Sequence, residues 1–310
     1  MGEGTLNQGF TYTEIIDHRG DGQALLDYLA DRYAHTSKQA WEERIRAGLV
    51  LLGAHPALGT EVLMGGQRLS WLRPPWEEPE APLTYAVLFE DEDLLAVAKP
   101  SGLPTLPGGG YLENTLLALV RRRHPGASPI HRLGRGTSGV VLFARTAESS
   151  RMLCHALREQ QMTKLYRTLV EGSPLRDAFT VTVPIGPIAH TYLGTVHAAS
   201  PRGKASTSHV RVLERRALDS LVEVHIETGR PHQIRIHMAA CGHPLVGDPL
   251  YAIGGGLRGD GNALPGDAGY LLHALRLTLL HPRSGEQIII ECQAPRLLRP
   301  GSPALIPAKA

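Results

Sequence analysis

The sequence is poor in cysteine and aromatic side chains, and it has no long apolar run. Its three cysteines, Cys154, Cys241 and Cys292, stand far apart and are odd in number. That argues against a disulfide framework and fits a reducing, cytoplasmic setting. Phe, Trp and Tyr make up 5% of the 310 residues, so aliphatic Leu and Val must fill the core. The longest apolar runs reach about five residues, as in Val140 to Ala144, whereas a membrane-spanning helix needs about 20. No membrane segment is expected. The N-terminal stretch MGEGTLNQGFTYTE lacks the basic start and apolar run of a secretory signal. Metal signatures are missing as well. Fifteen histidines include no H-E-x-x-H, there is no C-x-x-C, and His232, His237 and His243 are not spaced i, i+4, so no metal is expected.

What is present suits a folded protein. Hydrophobic residues are 42% and charged residues 20%, enough to bury a sizeable core. The length predicts two domains, or one large domain with an appendage. The net charge of +2 is unevenly spread. Residues 1–80 carry 7 Lys/Arg against 12 Asp/Glu, and residues 81–310 carry 25 against 18. A basic main body suits a polyanionic ligand, although a solvated basic surface has the same charge.

Leu72 to Pro82, LRPPWEEPEAP, holds four prolines and three glutamates in eleven residues. Such a stretch reads as a stiff linker. The expected organisation is a small module at 1–72, a linker at 73–82 and a main domain at 83–310. In the module, Leu25, Leu29 and Tyr33 define one short amphipathic helix. A second starts after Ser37, carries Trp41 and Ile45 on one face and stops at Gly48. Leu49 to Leu52 and Gln67 to Leu72 form a small hairpin. The main domain opens with strands Ala86 to Phe89 and Leu94 to Ala98 around the acidic turn 90–93. Helices are predicted at Asn114 to Arg123, capped by Asn114, and at Ser149 to Gln160 with Met152, Leu153, Ala156 and Leu157 inward. Strands are predicted at Val140 to Ala144, Leu165 to Val170, Leu221 to Glu227, Leu271 to Leu280 and Gln287 to Cys292. Between them a helix has Pro231 near its first turn and Gly242 past its end. Residues 254–269 hold seven glycines and read as a mobile loop. The order is not a βαβα repeat, so the fold class is α+β.

Gly134-Arg135-Gly136-Thr137-Ser138-Gly139 is a literal G-x-G-x-x-G. A dinucleotide fingerprint must run into a helix, but Val140 to Ala144 reads as a strand. A glycine-rich turn is the better reading, and no nucleotide cofactor is expected. Glu227 to His237 is dense in donors: Arg230, His232, Gln233 and Arg235 stand where a strand passes into a helix, a place that favours an anion. A capped helix with solvent-facing arginines is the bland alternative.

Four segments together resemble the RluA family of RNA pseudouridine synthases. They are Asp91 to Leu103 (DEDLLAVAKPSGL), His131-Arg132-Leu133 with Thr137-Ser138-Gly139, Thr228 to His237, and Gly242 to Tyr251 (GHPLVGDPLY). Shorter echoes occur at Lys164-Leu165-Tyr166 and Leu272-His273-Ala274. The resemblance runs from about Leu83 to about Ala294, and the N-terminal unit resembles the small RNA-binding module that often precedes this domain. It implies a pseudouridine synthase fold: a largely antiparallel mixed sheet with flanking helices. It also implies an enzyme that flips a uridine out of structured rRNA or tRNA, detaches the uracil from N1, turns it and rejoins it through C5. No cofactor is required, and a monomer is expected. Arg132 matches the arginine that fills the gap left by the flipped base. Tyr166 matches the tyrosine that packs on the uracil and assists proton removal. Arg235 matches the partner of the catalytic aspartate, and Thr137 and Ser138 match the loop behind it. His131, Arg230, His232 and Gln233 complete the implied RNA-binding set.

The pattern breaks at the catalytic aspartate, whose position here is Gly134. Glycine can neither attack the ribose nor take a proton from it. Arg235 is then expected to be an unpaired charge, and Gly134→Asp to restore its partner. Pro231, where the family usually has threonine, is a milder departure. Three readings follow: a synthase that uses another acid, with Glu227 and Asp248 in the matching motifs; a family member that binds RNA as an assembly or folding factor; or a cleft for an unrelated anion.

Overall fold

Capping and apolar spacing account for the helices of the N-terminal part. In the structure, a computed structural model describing residues 6–34, 36–259 and 263–302, β1 (Phe10–Ile15) is followed by α1 (Leu25–Arg32) and α2 (Lys38–Arg46). The Ser37 hydroxyl accepts from Ala40 N and starts α2. Strands β2 (Val50–Leu52), β3 (His55–Pro56) and β4 (Arg68–Arg73) complete this part. Leu25, Leu29, Trp41 and Val50 form its core. The sheet has four strands in the order β1-β4-β2-β3, all antiparallel, rather than the single hairpin expected. The strands not read were β3, a two-residue piece, and β1. The residues of β1 are mostly exposed, so no apolar alternation marks it.

The chain divides into two compact units. One ends at Glu78 and takes in Ala189–Thr195; the other comprises Pro79–Ile188 and the chain from Val196 onward. The larger unit begins with β5 (Ala86–Glu90), β6 (Leu94–Lys99), α3 (Leu116–Arg123), β7 (Ser128–Pro129), β8 (Thr137–Ala144), α4 (Ala147–Arg158) and β9 (Thr163–Glu171). It continues with β10 (Ala178–Val181), β11 (Ile185–His190), β12 (Gly194–Ala199), β13 (Ser208–Arg215), β14 (Asp219–Ile226), α5 (Gln233–Ala240), β15 (Leu272–Leu280) and β16 (Gln287–Glu291). Ten strands form one sheet, β10-β13-β14-β9-β15-β8-β6-β5, with β16 on β15 and β7 on β8. Its pairings are antiparallel except β8 with β15, which run parallel over Thr137–Gly139 and Leu272–Ala274. Strands β11 and β12 pair separately.

β6 shows how the layers form. Leu94 and Ala96 face the cluster containing Leu153 of α4, while Leu95 and Val97 face Leu116, Leu119 and Val120 of α3. Helices therefore cover both faces of an α+β sheet, and β6 reads as a continuous apolar run. β14 is also buried on both faces, Glu223 included. That carboxylate is 6% exposed because its cross-strand neighbours Arg167 and Arg211 both donate to it.

Some ends shift. Thr115, not Asn114, caps α3 by accepting from Ala118 N, and Asn114 donates to the Pro79 carbonyl. Thr146 caps α4 in a capping box with Ser149, whose hydroxyl also donates to the Asp93 carbonyl. Ser149 is thus inward and Met152, read as inward, is exposed. Thr146→Ala is expected to lower stability by about 1 kcal/mol, read from the urea midpoint. Pro231 lies one residue before the α5 N-cap, His232, near the first turn as expected. In the glycine-rich segment 254–269, residues 260–262 fall outside those described. No helix among the described residues is long and apolar enough to cross a membrane.

Gly139 sits at the joint of the sheet. Its φ is +113°, and a Cβ there would lie 2.2 Å from the Ala274 carbonyl oxygen. Only glycine lets β8 approach β15 this closely.

Candidate active site

The turn 131–138 enters β8 and is held from below by the segment that follows β6. Lys99 is 1% exposed, and its ammonium donates to the carbonyls of Pro100, Leu103 and Arg135 at 2.9, 2.7 and 3.2 Å. Burial pushes this amine down to about 7. Gly102 N also donates to Arg135 O, and the Ser101 hydroxyl donates to Gly136 O at 2.7 Å. Thr105 Oγ1 donates to Leu133 O and accepts from Leu133 N. These bonds give the Asp91 to Leu103 motif a role that spacing alone did not reveal: it clamps the backbone of the 133–136 turn.

Above this clamp Arg132 and Gly134 are exposed. The other residues expected in the turn look inward. The His131 Nε2 accepts from Leu142 N at 3.2 Å, and burial, aided by the Lys164 charge, pushes the imidazole down to about 4. The Thr137 hydroxyl lies 3.3 Å from the Tyr270 hydroxyl. Ser138 Oγ is 2.9 Å from His273 Nδ1, while His273 Nε2 faces the Cys292 carbonyl at 3.0 Å. Because a carbonyl can only accept, Nε2 carries the proton and Ser138 donates to Nδ1. His131, Thr137 and Ser138 therefore each brace the turn through an internal hydrogen bond.

The N-terminus of α5 supplies the opposite wall. Gln233 is 3% exposed and uses its full amide capacity within the protein. It donates to Thr207 O and Ser208 Oγ and accepts from Thr228 Oγ1 and Arg230 N. Arg230 is half-buried, with Nε on the Ala205 carbonyl at 3.3 Å. His232 holds a left-handed backbone, φ 55°, at the N-cap. Its Nδ1 is 2.8 Å from the Tyr251 hydroxyl, which itself donates to the His197 carbonyl. Nδ1 must then carry the proton, leaving Nε2 as an acceptor. Burial pushes His232 down to about 3, with the Arg235 and Arg132 charges adding to the shift.

Arg235 is not unpaired. Its Nε and Nη2 donate to the two Asp248 oxygens at 2.6 and 2.8 Å, and Nη1 donates to Pro265 O. Asp248 also accepts from Leu250 N and Tyr251 N. The guanidinium lies 4.1 Å from the Tyr270 ring centroid and 5.0 Å from that of Tyr251. Asp248 is thus an anchor for Arg235 and the 248–251 turn. Glu227 is exposed and paired with His209. Tyr166, 8% exposed on β9, shares a cluster with Leu133, Ile234 and Tyr270, and burial pushes its phenol up to about 12.

The structure therefore brings Gly134, Thr137 and Arg235 together around Tyr270, which the sequence reading had not singled out. Asp91, Asp93 and His281 also converge. His281 and Arg283 hydrogen-bond their carboxylates, and backbone N–H groups bond Asp91, so the cluster reads as a salt-bridged turn.

With this geometry in place, comparison with known proteins is informative. Residues 93–240 match the family model described as RNA pseudouridylate synthase. An uncharacterized RNA pseudouridine synthase of Synechocystis is 42% identical, over 87% of this chain and 94% of its own. RNA pseudouridine synthase 5 of Arabidopsis thaliana is 35% identical, over 88% and 89%. Ribosomal large subunit pseudouridine synthase D of Neisseria meningitidis is 32% identical, over 88% and 75%. The solved structure of human RNA pseudouridylate synthase domain containing 1 superposes with a TM-score of 0.55 at 26% identity, covering 72% of this chain and 89% of that one. The chain belongs to the RluA family of RNA pseudouridine synthases, a class of isomerases.

Proposed function

We propose that this protein converts uridine to pseudouridine in structured ribosomal or transfer RNA, flipping the target base into the cleft beside the 131–138 turn. The observation that carries the reading is the meeting of that turn with α5 at Tyr270, whose hydroxyl lies 3.3 Å from the Thr137 hydroxyl and whose ring centroid lies 4.1 Å from the Arg235 guanidinium. In this reading Arg132 fills the stack vacated by the uridine. Tyr166 packs on the uracil, and the Nε2 acceptor of His232 and the Arg230 side chain contact the nucleotide. Flipping costs a few kcal/mol, offset by stacking and phosphate contacts. A cytoplasmic, monomeric protein with no cofactor belongs to the same proposal. The name of the Neisseria relative favours ribosomal RNA.

A second reading has its own support. Gly134 carries no carboxylate and Asp248 is committed to Arg235, so the cleft also suits an RNA-binding assembly or folding factor. A pseudouridine map of total RNA with and without the gene separates the two. A uridine modified only when the gene is present supports the synthase; identical maps favour the binder. Either way, affinity for RNA should fall steeply with salt, log Kobs dropping by about 0.7–0.9 per decade of salt for each phosphate contact. Arg132→Ala should weaken turnover about tenfold or more while affinity changes only a few-fold, because flipping carries the larger cost. Salt-insensitive binding would sink both readings and leave the unrelated anion.

A further inference from the structure

Each glycine of residues 134–139 has close neighbours where a side chain would go. Gly139 admits the Ala274 carbonyl. Gly134 and Gly136 do not have a left-handed backbone, so conformational freedom does not select glycine there. Space does. A Cβ on Gly134 would lie 3.0 Å from the Tyr270 hydroxyl, with Thr137 Oγ1 next at 3.6 Å. A Cβ on Gly136 would meet Tyr270 Cζ, Cε1 and the hydroxyl at 3.0, 3.1 and 3.2 Å. The two glycines form a slot for the tip of a ring that is 3% exposed. Thr137 holds the hydroxyl, and the Arg235 guanidinium covers the ring face.

We propose that Tyr270 is the positioning residue of this reaction centre. Its phenol fills the volume that a side chain at position 134 would enter, and it fixes the 132–137 turn against Arg235. A Cβ at 134 crowds the Tyr270 hydroxyl at 3.0 Å, and Arg235 already gives two donors to Asp248. Gly134→Asp alone therefore presses on the Tyr270 hydroxyl and meets an arginine already paired.

The packing arm of the test needs no activity. In thermal melts of the full chain, Gly134→Ala should lower Tm by about 2–6 °C through overpacking. Adding Tyr270→Phe should cancel most of that loss, since the hydroxyl is the one Tyr270 atom within 4 Å of the built Cβ. Gly136→Ala should not be rescued by Tyr270→Phe, because Cζ and Cε1 remain. Additive effects at 134 and 270, or rescue at both glycines, would overturn the slot.

The catalytic arm rests on the synthase reading. Tyr270→Phe should lower kcat about 10–100-fold with KM within about twofold, the mark of lost alignment rather than lost binding. Gly134→Asp with Tyr270→Phe should turn over faster than Gly134→Asp alone. Native kcat in Tyr270→Phe would overturn the positioning role even with the slot intact. If the native protein forms no pseudouridine, the synthase reading fails by itself. Positioning is then judged by the double variant, which must exceed Gly134→Asp or the proposal falls with it.

Discussion

Asp248→Ala is expected to cost about 3–5 kcal/mol of folding stability, the usual penalty for stranding the partner of a buried ion pair. The side chains of Arg235 and Asp248 are 2% and 0% exposed, so water cannot replace the lost contact. The change also removes the acceptor for Leu250 N and Tyr251 N, loosening the turn that carries Tyr251 and, through it, His232. Arg235→Met combined with Asp248→Leu should cost well under the sum of the single changes, because no charge is then left unpaired. Urea unfolding of the native protein, Asp248→Ala, Arg235→Met, Asp248→Leu and the double variant measures this. A loss below about 1 kcal/mol for Asp248→Ala would mean that the pair is reached by solvent and does not anchor α5.

Tyr166→Phe should lower turnover by about 10²–10⁴-fold, the usual range for a group that assists proton transfer, while the fold and RNA affinity persist. The ring supplies the packing against Ile234 and Tyr270, and phenylalanine keeps it. What is lost is the hydroxyl. Burial pushes that phenol up to about 12, so it acts as a neutral donor or acceptor at neutral pH. Two pH expectations follow. The activity profile should show no step from Tyr166 below about pH 10. The raised pKa favours the protonated folded form, so its stabilising effect is complete below the unfolded value near 10 and is lost as pH rises towards 12. Pseudouridine formation on RNA lacking the modification, assayed beside RNA binding, tests the role. A Tyr166→Phe protein with native turnover would remove the hydroxyl from the mechanism.

Residues near in sequence were the legible ones. Ser37 followed by Trp41 and Ile45 is a cap and an apolar stripe, and α2 forms there because both act within one or two turns. The apolar runs that became β6 and β8, and the alternation of Val222, Val224 and Ile226, mark strands for the same local reason. The strand read after Gly139 also has a local basis, and the chain there runs on as β8. The motifs that carried the family resemblance lie in the same stretches. β1 was not legible: its residues are mostly exposed, so no apolar alternation marks it.

The site was decided at longer range. Nothing in the spacing of residues 134 and 136 says that a ring from position 270 will fill the space above them. Arg235 was expected to look for a carboxylate at 134 and found one at 248, thirteen residues along the chain. Thr137, Ser138 and Gln233 have the polarity of RNA contacts, yet the fold supplies them with internal partners. A sequence determines which groups a chain owns and the local geometry in which each segment starts. Which donor meets which acceptor depends on the sheet that brings β8, β9 and β15 side by side, since a hydrogen bond or a 3 Å steric contact is decided only when both groups are in place.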